Sequence, residues 1–331
     1  MQSSFFDHQD RLELLERLGD PLPKLERTIQ WEGFRELLKL IYKDSDPRKG
    51  GRPPYDLVLM FKVLVLQHFY NLSDDQTEYQ IRDRYSFCRF LGLSPEGKVP
   101  DAKTIWVFRE RLKKLELVDQ LFAEVLVQID AAGFTARKGQ IVDAAIVPAP
   151  RQRNSRDENA RIKAGETPED WSEAKRRQKD VDARWTKKHG KSHYGYKNHI
   201  SIDNEHKVIR RYAVSSASVH DSQVFEELLD PNNTNGSVWA DAAYRDKKRE
   251  QALPSANYRS HIHRKGSRKR ALNEREQEAN RKRSKVRARV EHVFAQQANR
   301  LIRTIGTARA EVKIGLMNLV YNLRRLVWLA G

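Results

Sequence analysis

The sequence contains very little cysteine. Cys88 is the one cysteine among 331 residues, so the chain cannot form an internal disulfide or build a zinc site from clustered cysteines. A lone cysteine of this kind is usually a small buried apolar residue. This composition is typical of an intracellular protein.

Long apolar segments are also missing. The most apolar run covers residues 57–66 and is interrupted by Lys62, whereas a membrane-spanning helix needs about 20 apolar residues. Residues 1–7 lack the basic start and apolar centre of a signal peptide. We therefore expect no membrane partner and a cytoplasmic location.

Negative charge is scarce relative to positive charge. The chain has 62 Lys and Arg against 45 Asp and Glu, a formal net charge of +17. An excess of this size predicts attraction to a polyanion, either nucleic acid or an anionic membrane. A soluble protein that is merely basic is the alternative.

Residues 1–135 are predicted to form an all-α domain. Apolar residues recur at helical spacing near 12–18, 31–41, 55–70, 74–92, 101–114 and 117–132. Ser73, with Gln76 three residues later, fits a capping box, and Asp101 can cap the fifth helix. That helix is expected to carry Lys103 and Arg109 on its outer face. A helix-turn-helix DNA reader and a plain helical bundle with solvated charges both fit this pattern.

The break at residues 50–54, Gly-Gly-Arg-Pro-Pro, has two interpretations. A short Gly-Arg-Pro segment is narrow and cationic, so Arg52 is a candidate for entry into a DNA minor groove. A plain loop with proline starting the next helix fits equally well.

Residues 136–331 are predicted to form a mixed α/β domain. β-type segments occur near 140–147, 193–202, 208–214, 236–241 and 258–263, and helical segments near 224–229, 245–252, 273–303 and 312–329. The turn at 203–206 predicts a hairpin. Residues 150–190 are polar, and we interpret them as an insertion.

Three carboxylates occupy unusual positions in this domain. Asp143 and Asp241 lie within or directly after short apolar strands, and Glu291 lies in a very basic helix. A buried carboxylate needs a partner, and hard divalent cations such as Mg²⁺ take oxygen ligands. Asp143, Asp241 and Glu291 are therefore candidate metal ligands, although each one alone is more often a turn residue or an ion-pair partner.

The basic helix around Glu291 suggests an anionic ligand. Residues 264–309 contain 15 Lys and Arg against 4 Asp and Glu. Arg287 lies four residues before Glu291, on the same helical face. It can form a surface ion pair with Glu291, or it can contact a phosphate while Glu291 holds metal.

Three blocks of the sequence resemble the signature of bacterial insertion-sequence DDE transposases, most closely the insertion-sequence-five-like group. The blocks are Val142-Asp143-Ala144, Trp239-Ala240-Asp241-Ala242-Ala243-Tyr244 and Arg287-Ala288-Arg289-Val290-Glu291-His292-Val293-Phe294. Further matches lie at 51–55, 101–109, 194–199 and 218–222. The resemblance covers nearly the whole chain.

The resemblance implies an RNase H-like catalytic domain at 136–331, preceded by a helical domain at 1–135 that binds DNA ends. Asp143, Asp241 and Glu291 would hold Mg²⁺, with two ions expected and Mn²⁺ as a substitute. The implied partner is double-stranded DNA, both element ends and target, bound by a homodimer in a synaptic complex.

The resemblance also implies contacts to DNA. Tyr244 matches an aromatic position expected near the scissile strand, and Arg287 matches the arginine that precedes the family glutamate. Several cations are candidates for phosphate contacts: Lys197, Arg283, Lys285, Arg52, Lys103 and Arg109. His199 and His220 are candidates for supporting roles near the site. The sequence departs from the signature at Ser284 and Ala298, where a Tyr and a Lys are usual, and at Ala243, where Gly is usual.

The predicted function is a DNA transposase that binds terminal inverted repeats and catalyses metal-dependent cleavage and strand transfer. A metal-dependent nuclease of the same fold without strand transfer is one alternative. A catalytically inactive DNA-binding regulator is the other, and the presence of all three acids disfavours it.

Overall fold

The computed structural model describes residues 7–42, 53–94, 96–188, 190–267 and 270–331. The chain divides into two compact units, one containing Met1–Phe134 and Gly315–Gly331 and the other containing Thr135–Ile314. The sequence had assigned residues 315–331 to the second domain. Within the described ranges, no helix has both the length and the apolar character needed to cross a membrane.

The first unit is helical, which agrees with the predicted all-α domain. Its helices are α1 (Asp7–Arg17), α2 (Leu22–Thr28), α3 (Arg35–Lys39), α4 (Leu57–Phe69), α5 (Asp74–Asp83), α6 (Tyr85–Leu91), α7 (Ala102–Lys114) and α8 (Leu117–Ala131), and the unit also contains most of the last helix of the chain, Thr307–Ala330. Helix α4 is the most deeply buried, with Met60, Phe61 and residues 63–66 fully inaccessible to solvent.

Two helix predictions in this unit are wrong in detail. The segment at 31–41 is α3 flanked by two 3-10 turns, Trp31–Phe34 and Leu40–Tyr42. The segment at 74–92 is divided into α5 and α6, because Arg84 has an extended backbone, with φ −104° and ψ 115°. Its guanidinium lies over the ring of Phe87, 5.2 Å from the centroid.

The predicted helix caps are confirmed. The Ser73 hydroxyl accepts a hydrogen bond from the Gln76 amide at 3.1 Å, and the Gln76 side chain accepts one from the Ser73 amide at 3.0 Å. Asp101 accepts from the Thr104 amide at 2.6 Å at the start of α7. These bonds satisfy amides that have no partner within the helix, so residues a few positions apart predict where each helix begins.

The second unit is built on a mixed sheet. Its strands within the described residues are β1 (Gln140–Pro148), β2 (Arg184–Lys188), β3 (Lys191–Asp203), β4 (Ile209–Ser216), β5 (Ser237–Trp239) and β6 (Arg259–Ser260). Central β1 runs antiparallel to β3 and parallel to β5, while β4 and β2 pair with β3 and β6 pairs with β5. The order β4–β3–β1–β5–β6 confirms the predicted RNase H-like mixed sheet and its β3–β4 hairpin.

The two faces of this sheet have different environments. Val142, Val238, Ala240 and Tyr244 belong to an apolar cluster on one face. Asp143 follows Val142 in β1 and therefore points to the opposite face. The strand pattern thus separates the core from the face that carries the candidate acid.

The polar segment at 150–190 has more structure than a plain insertion. It contains α9 (Arg156–Lys163), α10 (Glu173–Gln178) and the unpredicted strand β2. Trp171 is buried, and its indole N–H donates to Glu158 at 2.6 Å. Lys175 donates to the same carboxylate oxygen at 2.6 Å, so one charged network joins the two helices.

Several remaining boundaries differ from the predictions. The helix expected at 224–229 is absent from the described chain, where a 3-10 turn, Asp221–Val224, and further turns occur instead. Helices α11 (Lys247–Ser255) and α14 (Thr307–Ala330) are longer than expected. The long basic helix ends early: it consists of α12 (Glu274–Arg287), a 3-10 turn (Ala288–Val290) and α13 (Glu291–Gln297).

Candidate active site

Asp143 and Asp241 lie side by side at neighbouring strands. The β1–β5 pairing aligns Ile141 with Trp239, an offset of 98 (239 − 141 = 98), and the two acids have the same offset (241 − 143 = 98). The chain stays extended beyond β5, since the His263 amide donates to the Ala240 carbonyl at 3.1 Å. Neighbouring strands are about 4.8 Å apart, so the two carboxylates lie close to each other.

Asp143 is a buried acid with an altered proton affinity. Burial in the sheet raises its pKa to about 6, and the nearby Asp241 charge acts in the same direction. The Arg287 guanidinium and the Ala144 amide oppose this rise. Desolvation therefore outweighs the favourable charge contacts.

Arg287 is the direct partner of Asp143. Its Nη1 donates to Asp143 Oδ2 at 2.7 Å, and the Ala144 amide donates to Oδ1 at 2.8 Å. The sequence alone is consistent with two roles for Arg287, a surface ion pair with Glu291 or a contact with a phosphate. In the structure its guanidinium instead lies against the carboxylate of β1.

Asp241 begins the 3-10 turn Ala242–Tyr244. It is half-buried, and its Oδ1 accepts a hydrogen bond from the Ala243 amide at 2.7 Å. This contact orients the carboxylate directly after the strand.

Glu291 lies at the start of α13 and is exposed. The segment that carries it is anchored on both sides. Arg289 donates to the Asn204 carbonyl at 2.7 Å, and Asn198 donates to Gln297 at 3.1 Å. Val290 and Val293 are fully buried. Asn198 pairs with Ala145 and so shares the sheet face of Asp143, which places α13 over that face.

The donor set is that of a hard cation. Asp143 and Asp241 supply carboxylate oxygens, and Arg287 already places a positive charge on one of them. Within the ranges that the structure describes, no three His, Cys, Asp or Glu side chains are grouped closely enough to hold a metal ion. The two aspartates fit a divalent ion, and Glu291 would need to approach to complete the site.

Three predicted DNA contacts are buried, and these predictions need correction. Tyr244 is fully buried and packs on Phe225, with ring centroids 5.6 Å apart. Lys197 donates to Asp221 at 2.7 Å and to the Val219 carbonyl at 2.6 Å. Arg109 forms a bidentate ion pair with Asp74, at 2.6 and 2.7 Å. Their side chains serve packing and internal charge pairing, so they are not available to DNA in this conformation.

Other predicted cations remain accessible. Lys103 on α7 and Lys285 on α12 are exposed. Arg283 is half-buried and donates to the Ile262 carbonyl at 3.0 Å. Arg52 lies outside the described residues. Lys103 and Lys285 therefore stay as candidates for phosphate contacts.

The two histidines have different environments. His199 pairs with Ala144 in the sheet, so its side chain lies on the face opposite Asp143, and the prediction that it lies near the site is wrong. It is fully buried beside Ser215, at 2.8 Å, and burial lowers its pKa to about 4. His220 is exposed, and its Nδ1 contacts the Ser222 hydroxyl at 2.7 Å.

Two positions depart from the family signature. Ser284 lies on α12, with its hydroxyl 3.4 Å from Nε2 of His263. Ala298 lies just past α13, with φ −59° and ψ 155°, so the usual Lys position falls outside the helix. Neither residue can supply the contacts of a Tyr or a Lys.

Sequence reasoning did not single out two features near the site. Arg289 and Asn204 anchor the segment before Glu291, although they are 85 residues apart. The charge of Lys188, in the unpredicted strand β2, lowers the pKa of Asp143. The run Arg184-Trp185-Thr186-Lys187-Lys188-His189-Gly190-Lys191, with four cations and no acid, was an available signal for the second feature.

Comparison with known proteins places the chain among enzymes that act on DNA. The family described as "Transposase DDE domain" matches residues 135–323, more than half of the chain, and the one described as "Transposase domain (DUF772)" matches residues 9–111. Among solved structures, the chain is similar to a cryo-EM structure of the piggyBac transposase synaptic complex with hairpin DNA. The identity is 12% and the TM-score 0.48, over 94% of this chain and 75% of that chain.

Proposed function

The chain belongs to the transposase DDE family, whose members cleave DNA and transfer its strands with divalent metal ions, and we propose that Asp143, Asp241 and Glu291 form its active site. The observation that supports this most directly is the shared offset of Asp143 and Asp241 on adjacent parallel strands. Within the family, we assign the chain to the insertion-sequence-five-like group on its three sequence blocks.

In this proposal the two aspartates would hold Mg²⁺. Bound Mg²⁺ would supply Lewis acidity, which lowers the pKa of water and favours the departure of a 3′ oxygen. Asp143 must be ionised to act as a ligand, and the charges of Arg287 and Lys188 favour its ionised form. Glu291 approaches from the start of α13 and completes the carboxylate set.

The same residues support both steps of the reaction. Water attacks the phosphodiester at an element end and frees a 3′ hydroxyl, which then attacks target DNA. Each step breaks one P–O bond and forms another, so no other reactant is needed. Exposed cations such as Lys285 and Lys103 position the DNA backbone.

The helical unit is proposed to bind the terminal inverted repeats, with the protein acting as a homodimer that brings two ends together. Lys103 on α7 is exposed and suits a phosphate contact. Buried Arg109 holds α5 against α7 through Asp74 and acts only by supporting this surface.

Neutralising each acid tests the assignment. Asp143→Asn, Asp241→Asn and Glu291→Gln are compared with Glu278→Gln, which removes an exposed acid paired with Arg281 on α12. We expect the first three to reduce cleavage of inverted-repeat DNA by at least about a thousandfold, a loss of roughly 4 kcal/mol of transition-state stabilisation. Glu278→Gln should cleave normally. Wild-type rates for Asp241→Asn would refute the site.

Strand transfer separates this function from that of a nuclease of the same fold. Pre-cleaved ends with a free 3′ hydroxyl are mixed with plasmid target and Mg²⁺. Joined products are expected from the wild type and not from Asp241→Asn. Hydrolysis without any joining would favour the nuclease, and neither product would favour an inactive DNA-binding regulator.

A further inference from the structure

His263 lies next to Asp241 in the sheet, on the side away from Asp143. Strands β5 and β6 are parallel, with Ser237 opposite Arg259 (259 − 237 = 22), and His263 has the same offset from Asp241 (263 − 241 = 22). The pairing continues beyond β6, because every second amide from residue 259 to 263 donates to every second carbonyl from residue 236 to 240, at 2.8–3.1 Å. Asp241 and His263 are therefore neighbours on adjacent stretches of extended chain.

The side chains of Asp241 and His263 share one face of the sheet. Trp239 and His261, the pair two residues earlier, stack with ring centroids 4.7 Å apart. Side chains two residues apart along an extended chain point to the same side, so Asp241 and His263 are the next pair on the face of this stack. Asp143, Asp241 and His263 thus form a row across three neighbouring strands.

Helix α12 fixes the backbone on both sides of His263. Arg283 Nη1 donates to the Ile262 carbonyl at 3.0 Å. The side-chain amide of Asn280 accepts from the Arg264 amide and donates to the Arg264 carbonyl, both at 2.9 Å. Because the residues before and after it are bound to one helix, His263 has a defined position in the fold.

One face of α12 reaches both ends of the row. Ser284 and Arg287 are three residues apart and lie on the same side of the helix. Arg287 contacts Asp143 at 2.7 Å, and the Ser284 hydroxyl lies 3.4 Å from Nε2 of His263. Asp241 lies between these two contacts, so His263 borders the same space as the two aspartates.

The imidazole of His263 is accessible and lies in a cationic environment. It is half-buried, and its contact with Ser284 is long for a hydrogen bond. The guanidinium groups of Arg245 and Arg283 both donate to the adjacent Ile262 carbonyl, at 3.3 and 3.0 Å. Among the described residues Arg283 bonds to Ile262 and Asn280 and to no carboxylate. A donor beside an unneutralised positive charge suits an anion.

We propose that His263 binds a phosphate of the DNA strand that is cut, with its imidazole donating a hydrogen bond to a non-bridging oxygen and the charge of Arg283 close behind. The inference rests on the proposed function, because it assumes that the strand is cut at Asp143 and Asp241. A neutral imidazole carries one N–H donor, and hydrogen bonds to a charged oxygen are stronger than those between neutral groups. His263 thereby fixes the strand relative to the two acids.

A double-mutant cycle between protein and DNA tests this contact apart from catalysis. The full-length protein is titrated in EDTA with a fluorescein-labelled duplex that carries the element end. A single methylphosphonate, which removes the charge of one phosphate, is placed in turn at the cleavage position and at the phosphates on either side. Wild type, His263→Phe and His263→Ala are compared with His261→Phe. His261 is a matched control, because it lies on the same sheet face but its ring is already stacked on Trp239.

At one of these phosphates the methylphosphonate should weaken binding by the wild type about tenfold. The loss should be at least about threefold smaller in His263→Phe and His263→Ala, because the partner of that phosphate has already been removed. His261→Phe should show the full loss of the wild type. Binding of Mn²⁺ without DNA should be unchanged in His263→Phe, since His263 is not proposed as a metal ligand.

An equal loss in wild type and His263→Phe at every phosphate would overturn the inference, and this variant decides alone if His263→Ala does not fold, because it keeps a ring for packing. A smaller loss in His261→Phe, or weaker Mn²⁺ binding by His263→Phe, would also overturn it. Cleavage by Asp241→Asn separates the two proposals. Normal cleavage by that variant refutes the active site, whereas defective cleavage with equal losses in wild type and His263→Phe refutes only the phosphate contact.

Discussion

Arg287 Nη1 lies 2.7 Å from Asp143 Oδ2, and this contact joins residues 144 positions apart in the chain. One partner is the buried acid of β1, and the other ends α12, directly before the turn that leads to Glu291. The contact favours the ionised form of a carboxylate that burial would otherwise protonate. It also occupies an oxygen that a divalent ion would need.

Removing Arg287 should therefore tighten metal binding. We expect Arg287→Met to bind Mn²⁺ about fivefold more tightly than the wild type, since a screened charge at this range contributes about 1 kcal/mol. The measurement is electron paramagnetic resonance of free Mn²⁺ at pH 8, above the raised pKa of Asp143. Arg289→Met is the matched control, because it loses the same charge two residues away from a contact with the uncharged Asn204. Equal affinities in the two variants would contradict the competition.

The buried ion pair of the helical unit should be sensitive to loss of one partner. Arg109 is 5% exposed and contacts both oxygens of Asp74 as well as Gln67, at 3.1 Å. Arg109→Ala should lower the free energy of unfolding by about 3–5 kcal/mol, because it leaves a carboxylate without its charge partner. Urea unfolding followed by circular dichroism measures this change. Arg27→Ala, which breaks an exposed ion pair with Glu16, should lower the free energy of unfolding by under about 1 kcal/mol. A similar loss for Arg109→Ala and Arg27→Ala would show that the ion pair of Arg109 contributes no more than an exposed one.

Gly195 should resist substitution for a local steric reason. A Cβ there would lie 2.3 Å from the Val147 carbonyl oxygen and 2.7 Å from the Ala149 amide nitrogen, both backbone atoms. Gly165 also has a positive φ, +89°, yet no atom lies within 4 Å of its built Cβ. We expect Gly195→Ala to lower thermal stability by about 2 kcal/mol more than Gly165→Ala. Equal melting temperatures of Gly195→Ala and Gly165→Ala would show that the backbone of β3 adjusts freely at Gly195.

His199 should make stability fall in mild acid. Burial lowers its pKa to about 4, below the ordinary value of 6.5, so between these values the folded state binds fewer protons than the unfolded state. The free energy of unfolding then decreases as pH falls from about 6.5 to about 4, by roughly 3 kcal/mol in total. The comparison is urea unfolding of wild type and His199→Asn across this range.

The difference between the two proteins isolates His199. The contribution of Asp143 to the free energy of unfolding has the opposite pH dependence over a similar range, because its pKa is raised to about 6. That contribution is common to the wild type and His199→Asn, so it cancels in the difference. The stability advantage of the wild type should shrink as the pH is lowered. A difference that stays constant with pH would contradict the buried, neutral state of His199.

The local sequence was sufficient to predict those features whose determining interactions join residues close together in the chain. The caps at Ser73 and Asp101 depend on hydrogen bonds three residues apart, and the β-type run at 140–147 depends on its own apolar residues. The family blocks around Asp143, Asp241 and Glu291 are short contiguous segments, so the family was predictable from them. The same local rules failed at Arg84, where tertiary packing places an extended residue inside a helical pattern.

The sequence alone determined the helical and mixed-sheet classes, the family and the chemical nature of the candidate ligands, because these follow from periodicity, charge and short motifs. Only the tertiary structure decided which side chains are available. It buried Tyr244 in the apolar cluster, paired Lys197 with Asp221, and directed Arg287 to Asp143. Each of these outcomes depends on strand register and on contacts between distant segments, and a one-residue change of register would turn every such side chain to the other face of the sheet.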